Sequence, residues 1–224
     1  MQIVEGKKIA SLIKEELKKN IIENSLEKKL AIFYVGENPV ISSFVELKKK
    51  FGADIGVNVE VFRYGNSIEE DFLIQEIENK SKDFDGVVIQ LPLPESLNRR
   101  KILDSVPEEK DIDVLGVNAY KKFASGDFKF LPPVVGAVEQ VFSHYNIVMQ
   151  DKKFLVVGKG LLVGGPIFDW LKALNLKTVC VDENTENSEE IYSHADVIIS
   201  GVGRAGLIKK DFLKKGVVLI DAGS

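Results

Sequence analysis

One cysteine, Cys180, and two histidines, His144 and His194, are all the thiol and imidazole that the 224 residues contain. A single thiol closes no intrachain disulfide and builds no cysteine-based zinc site, so the fold is expected to rest on its core, with no metal. The histidines sit in separate segments without a nearby carboxylate pattern, and neither joins the expected catalytic set. Positive charge is not in excess either: 30 Lys and Arg stand against 34 Asp and Glu, a net charge of −4. Binding a phosphate backbone needs a basic surplus, so nucleic acid is not the expected partner and small ligands are. Long apolar runs are missing as well. The N-terminus MQIVEGKKIASLIKEELKK carries a charge every few residues and has neither the apolar centre of a signal peptide nor the length of a membrane span. No membrane partner is expected, and the cytoplasm is the expected compartment.

No tract rich in Pro, Gly or Ser interrupts the chain, and 45% hydrophobic with 29% charged residues is the balance of a protein that folds throughout. The hydrophobic pattern alternates between helix and strand periods from end to end, which predicts an α/β fold with parallel sheets and crossover helices. A helix is predicted over about Lys7 to Asn20, a buried strand over Leu30 to Val35, a helix over roughly Ser42 to Gly52 and a strand over Asn58 to Tyr64. Ser67 and Glu70 have the spacing of a capping box that would open the next helix. The apolar run DGVVIQLPLP follows. After Asp113 the pattern turns irregular, and GVNAY, Gly126 and Pro132-Pro133 read as a crossing between domains before a helix from about Val134 to Ser143. Four apolar runs, FLVVG, TVCV, DVIISGVG and VVLIDAG, then recur at regular spacing as strands of a second α/β unit. Two domains are therefore expected, residues 1–115 and 116–224, with a cleft between them and ligands at the carboxyl ends of the strands.

In GKGLLVGGP, Gly158, Gly160 and Gly164 fall where a strand turns into a helix. Glycines there permit a tight turn and let backbone N–H groups approach a pyrophosphate, while the helix N-terminus supplies positive potential. The spacing is G-x-G-x-x-x-G, and by itself it fits a structural turn equally well. The context favours a dinucleotide: a strand ending at Asp182 follows, and after another crossover Gly201 and Gly203 in SGVGRAG end a third strand. A carboxylate at Asp182 suits the ribose hydroxyls of NAD, whereas an ammonium at Lys159 suits the 2′-phosphate of NADP, and the residues alone leave that choice open.

The segments GENPVISSFVELKKKFGADIGV, DGVVIQLPLP and EKDIDVLGVN occur in that order. Together they resemble the bifunctional methylenetetrahydrofolate dehydrogenase/methenyltetrahydrofolate cyclohydrolase family, whose segments read VG-(x)-P-S-(x)-Y-x-x-x-K, DGI-x-VQLPLP and KDVDG. VEGKKIA, VVGKGLLVGGP, SGVGRAGLI and GVVLIDAGS are similar to further segments of that family, so the resemblance spans the chain. It implies oxidation of 5,10-methylenetetrahydrofolate with NADP or NAD, followed by hydrolysis to 10-formyltetrahydrofolate. It also implies roles. Lys48 matches the catalytic lysine, which in a partly buried polar site can donate or accept a proton. Gln90 matches the glutamine that orients the lysine, and Asp113 the aspartate that accepts hydrogen bonds from the pterin. A homodimer is expected through an exposed sheet edge in the second half.

The chain departs from the family at four places. Phe44 replaces the tyrosine four residues before the lysine, which keeps a ring to stack on folate and loses a hydroxyl. Val114 stands at the usual glycine of D-V-D-G. LPPVVG, with Pro132, Pro133 and Gly136, replaces P-C-T-P-x-G. The sequence stops at IDAGS, where the family normally continues into a PVPGGVGP-(x)-T loop over folate and cofactor, and a site without that loop is expected to be a poorer hydride-transfer catalyst. Two rivals follow: a non-catalytic homologue that binds folate or nucleotide, and a shikimate- or amino-acid-type dehydrogenase sharing the dinucleotide half.

Overall fold

The computed structural model describes residues 3–185, 188–204 and 206–223. It divides into two compact units, Met1–Lys121 and Lys122–Ser224, so the division falls at 121/122 where the sequence suggested 115/116. The shift has a local cause. The stretch read as an irregular crossing contains a helix, Val117–Ala124, whose first turn is capped from outside by Asp104, its Oδ1 accepting the Val117 N–H at 2.8 Å. The helix carries the chain past the expected boundary and buries Phe123.

In the first unit, α1 (Gly6–Glu23), β1 (Lys28–Val35), α2 (Pro39–Ile55), β2 (Val57–Tyr64), α3 (Glu70–Lys80), β3 (Gly86–Ile89) and α4 (Arg99–Asp104) follow one another, and α5 (Val117–Ala124) runs across the division at 121/122. The sheet is parallel in the order β2-β1-β3. Its middle strand is buried on both faces from Ala31 to Val35, which is why it reads as an unbroken apolar run. Helix α2 starts three residues ahead of the predicted Ser42. Asn38 caps it by accepting the N–H groups of Val40 and Ile41, Pro39 occupies its first turn, and Gly56 at φ +90° ends it. One face of α2 packs Ile41 and Val45 on Ile32, Tyr34, Val59 and Val88. Each such aliphatic side chain contributes roughly 1.5–3 kcal/mol on burial, which holds α2 and its outward-facing residues to the sheet.

The predicted capping box does not form. Helix α3 begins at Glu70 after an N-cap residue, Glu69, that makes no side-chain cap bond. Glu70 turns elsewhere: its carboxylate accepts the Asn98 N–H at 2.6 Å and pairs with Lys101 at 3.0 Å. Those bonds, the Asn98 N–H first, hold its carboxyl below the usual carboxylate range. The charge-assisted contact with the start of α4 replaces the local cap.

The second unit contains α6 (Pro133–His144), β4 (Lys153–Val157), α7 (Gly164–Ala173), β5 (Lys177–Val181), α8 (Ser188–His194), β6 (Val197–Ser200) and β7 (Val218–Asp221). Its sheet is parallel in the order β5-β4-β6-β7. The chain leaves β4 for β5 on one side and crosses back to β6 on the other. This makes a topological switch point at the carboxyl end of β4.

Candidate active site

In the first unit three of the four expected folate-site residues come together. Lys48 projects from α2, and its Nζ donates to Oε1 of Gln90 at 3.0 Å. Gln90 follows β3 directly, its own N–H donating to the Phe33 carbonyl and its Nε2 to the Leu91 carbonyl at 2.9 Å. The glutamine is thus fixed at both ends and presents one oxygen to the lysine. Lys48 is exposed along its helix and is positioned by this tether, where the sequence suggested a partly buried setting. Lys48 and Asp113 line one cavity of about 450 Å³ with Phe51, Val59, Val88 and Ile112. That cavity runs beneath α2 along Lys28, Lys29, Val57 and Gly86, at the amino ends of β1, β2 and β3, and not at the carboxyl ends of the strands where the ligand was expected.

Burial pushes the Asp113 carboxyl above the usual carboxylate range, the Lys48 ammonium pulls it back, and the Asp111 carboxylate adds to the rise. A carboxylate in that setting is short of hydrogen-bond donors, and a flat heterocycle presenting amino and ring N–H groups would supply them. Phe44, one turn ahead of Lys48 on α2, is 57% exposed and offers its ring face outside the cavity.

Val114 occupies the position where the resemblance puts a glycine, and it keeps a glycine-like backbone at φ +56°. The loop after Asp113 therefore retains the turn, and its side chain, 2% exposed, offsets part of the strain by burial. Replacing it separates the two effects. Val114→Ala removes two buried methyl groups and Val114→Gly one carbon more, about 0.8 kcal/mol, but only glycine relieves the left-handed strain of about 1–2 kcal/mol. The glycine variant should therefore unfold in urea at a higher midpoint than the alanine variant, the reverse of the order at an ordinary buried site.

In the second unit the strand register aligns the expected cofactor residues. Val157 of β4 lies level with Val181 of β5 and Ser200 of β6, so Gly158, Asp182 and Gly201 leave the sheet side by side. The Gly158 N–H donates to the Val181 carbonyl and the Gly201 N–H to the Val157 carbonyl. Gly158 and Gly203 have φ of +84° and +60°. A Cβ on Gly164, the first residue of α7, would overlap the carbonyl oxygen of Gly158, whereas a Cβ on Gly160 would meet nothing within 4 Å. The loop is thus closed on itself at Gly164 and open at Gly160, a cradle a pyrophosphate fits. Lys159 lies beside it with its Nζ 5.2 Å from the Phe168 ring centroid. Asp182 accepts the Asn184 N–H and the Thr185 hydroxyl, both at 3.0 Å, which leaves its second oxygen for a ribose hydroxyl. Gly160→Ala should melt like the wild type and lose NAD(P) affinity in calorimetry. Gly164→Ala should lower the melting temperature itself, so a Gly164 variant cannot isolate binding from folding. Unchanged affinity in the alanine variant at Gly160 would leave the loop as a turn alone.

Asp111 is the residue the motif reading passed over. It is 4% exposed, and its Oδ2 accepts the N–H groups of Leu115 and Gly116 at 2.9 and 2.7 Å. A carboxylate a few residues ahead of a glycine in a broken pattern is a turn signal, and that was the available clue.

Comparison with known proteins agrees with both halves. Residues 4–113 match the tetrahydrofolate dehydrogenase/cyclohydrolase catalytic domain and residues 132–224 match the NAD(P)-binding domain of the same enzymes. The chain is 34% identical to the bifunctional protein FolD of Mycoplasmopsis synoviae, covering 100% of this chain and 82% of that protein. It is 36% identical to the FolD of Carboxydothermus hydrogenoformans, covering 97% and 78%. The crystal structure of the bifunctional enzyme FolD, methylenetetrahydrofolate dehydrogenase/cyclohydrolase, from Campylobacter jejuni superposes with a TM-score of 0.92 at 27% identity, covering 98% of this chain and 80% of that one. With a lysine, glutamine and aspartate gathered in one half, a glycine cradle in the other, and both halves matched in order, this chain belongs to the tetrahydrofolate dehydrogenase/cyclohydrolase family.

Proposed function

We propose that this protein oxidises 5,10-methylenetetrahydrofolate to the methenyl form and hydrolyses that product to 10-formyltetrahydrofolate. The observation that carries the reading is the Lys48–Gln90 bond of 3.0 Å, with Lys48 also lining the cavity that Asp113 lines. NAD(P), held by the second unit, would supply a hydride acceptor at the nicotinamide C4. The chain's own residues do the rest. Asp113 accepts from the pterin amino and ring N–H groups and fixes the ring's orientation, and Phe44 offers a face for the aromatic body of folate. In the hydrolytic step a water oxygen bonds to the methenyl carbon and gives one proton to a base. The resulting hydroxyl then gives up its second proton as one carbon–nitrogen bond breaks and that nitrogen gains a proton, which leaves the formyl carbonyl and releases one proton net. Lys48 is the group placed to handle those proton transfers, and Gln90 keeps its ammonium aimed. Gly158, Lys159, Gly160, Gly164, Gly201 and Gly203 form the pyrophosphate and nicotinamide cradle, with Asp182 at the adenosine ribose and NADP the cofactor favoured by Lys159.

The test is direct. Purified protein given 5,10-methylenetetrahydrofolate and NADP, and separately the methenyl compound alone, should form reduced nicotinamide in the first case and 10-formyltetrahydrofolate in the second. Neither product, with saturable folate binding retained, would install the non-catalytic binding protein in its place, the reading that the missing hydroxyl at Phe44 favours.

Among the described residues no helix is long and apolar enough to cross a membrane, and the cytoplasm remains the proposed compartment. The proposed assembly is a homodimer through β5. Among the described residues that strand pairs with β4 alone, and Val179 on it is 49% exposed, so its outer edge suits strand addition by a second copy. Light scattering on the purified chain should give twice the monomer mass, and a Val179→Lys variant should return it to one.

A further inference from the structure

The geometry points to Asp111 as the positioning residue of the folate site: its buried carboxylate folds the turn that carries Asp113 into the cavity. This rests on the functional reading above and deepens it. Asp111 is attached to the sheet, forming a parallel bridge with Val87 of β3. From that anchor its carboxylate reaches forward to the N–H groups of Leu115 and Gly116, while its carbonyl accepts the Val114 N–H at 3.2 Å. Three backbone donors thus converge on one residue, and the chain between them has to turn sharply. The turn puts Val114 at φ +56° and directs Asp113, two residues past the anchor, to the cavity wall. Gly116 completes the closure, because a Cβ there would stand 3.1 Å from both the Asp111 carboxylate and the Leu103 carbonyl. A conformation this unfavourable for valine persists only when its surroundings over-determine it, and the Asp111 carboxylate is the group that does so.

Asp111 also acts on Asp113 through charge. The charged groups around the cavity are Lys48 from α2, Lys28 and Lys29 from β1, Asp85 ahead of β3, and Asp111. Lys28 and Asp85 are paired at 2.8 Å, and of the whole set Lys48 and Asp111 are the two that shift Asp113, in opposite directions. Removing the Asp111 charge while keeping an acceptor leaves burial alone to oppose Lys48, so Asp113 ionises at lower pH. Two substitutions separate geometry from charge. Asn at 111 can present its amide oxygen to both N–H groups and keeps the turn, whereas Ala releases it.

Asp111→Ala is expected to raise the KM for the folate substrate by roughly tenfold to hundredfold, the equivalent of one hydrogen bond lost between a misplaced Asp113 and the substrate. Its kcat should change far less, and its NAD(P) affinity should stay that of the wild type. Asp111→Asn should restore KM and shift the acid limb of kcat/KM to lower pH, with the Asp113 carboxyl carbon titrating at lower pH by NMR. A folded Asp111→Ala protein with wild-type KM overturns the inference. Where that variant does not fold, an unshifted Asp113 titration in Asp111→Asn overturns it instead. The NMR measurement needs no substrate. A wild type that binds no tetrahydrofolate therefore defeats the functional reading, while the titration still decides whether Asp111 controls Asp113.

Discussion

Lys48→Met should lower methenyl hydrolysis by roughly a hundredfold to ten-thousandfold, the range that positioned acid–base groups contribute. Methionine keeps an unbranched apolar stem of similar length and removes the ammonium, so the helix face is preserved while proton transfer is lost. Lys48 is exposed and bonds Gln90. A surface contact of that kind contributes little to stability, and the variant should melt close to the wild type. NAD(P) affinity should also hold, since every expected cofactor residue belongs to the second unit. Folate binding should show a second effect with a definite sign. Lys48 lowers the pKa of Asp113, so without it the carboxyl holds its proton to higher pH, and the acid limb of folate binding should move upward. Lys48→Arg sharpens the test: it keeps the charge that acts on Asp113 and cannot release a proton near neutrality. The arginine variant should bind folate at the wild-type pH and remain inactive. Full hydrolysis by Lys48→Met would remove the lysine from the mechanism.

Phe44→Tyr should raise turnover roughly tenfold to hundredfold, because a hydrogen bond to a charged partner is worth about 1.5–3 kcal/mol and about 1.36 kcal/mol is a decade in rate. Phe44 lies one turn before Lys48 on α2 and is 57% exposed, so a hydroxyl can be added there without displacing packed atoms. Folate affinity should barely change, since the ring contact is the same in both proteins. The measurement is absorbance of the methenyl and reduced-nicotinamide species with wild type and variant side by side. Equal turnover would mean that another feature limits the rate. No turnover from either, with folate still bound, would support the non-catalytic homologue.

Periodicity and punctuation carried most of the fold. The apolar run at β1 announced a strand buried on both faces, and the glycines after β4 announced a strand-to-helix turn because few other residues can make one. Boundaries were less legible: α2 began earlier than its periodic part because Asn38 and Pro39 cap it, and α5 appeared where the pattern looked broken. The capping box failed for a related reason. Ser67 and Glu70 had the right spacing, but Glu70 found stronger partners in Asn98 and Lys101, and a local signal yields when a distant donor binds better.

The amino-acid sequence by itself determined the fold class and the order of the two halves, since periodicity and glycine placement are properties of short stretches of chain, and the resemblance of its motifs to one family nominated Lys48, Gln90 and Asp113. Tertiary structure alone decided how those residues work together. Lys48 and Gln90 are 42 positions apart and meet only because α2 packs on the sheet that β3 completes. The cavity that Lys48 and Asp113 line sits beneath α2 towards the amino ends of the strands, because of how that helix lies. Asp111 looked like one more acidic residue in a charged stretch, and its role emerges only from burial and from the backbone donors it gathers. A buried carboxylate needs partners, and which partners it finds depends on the packing of segments that no stretch of the sequence shows together.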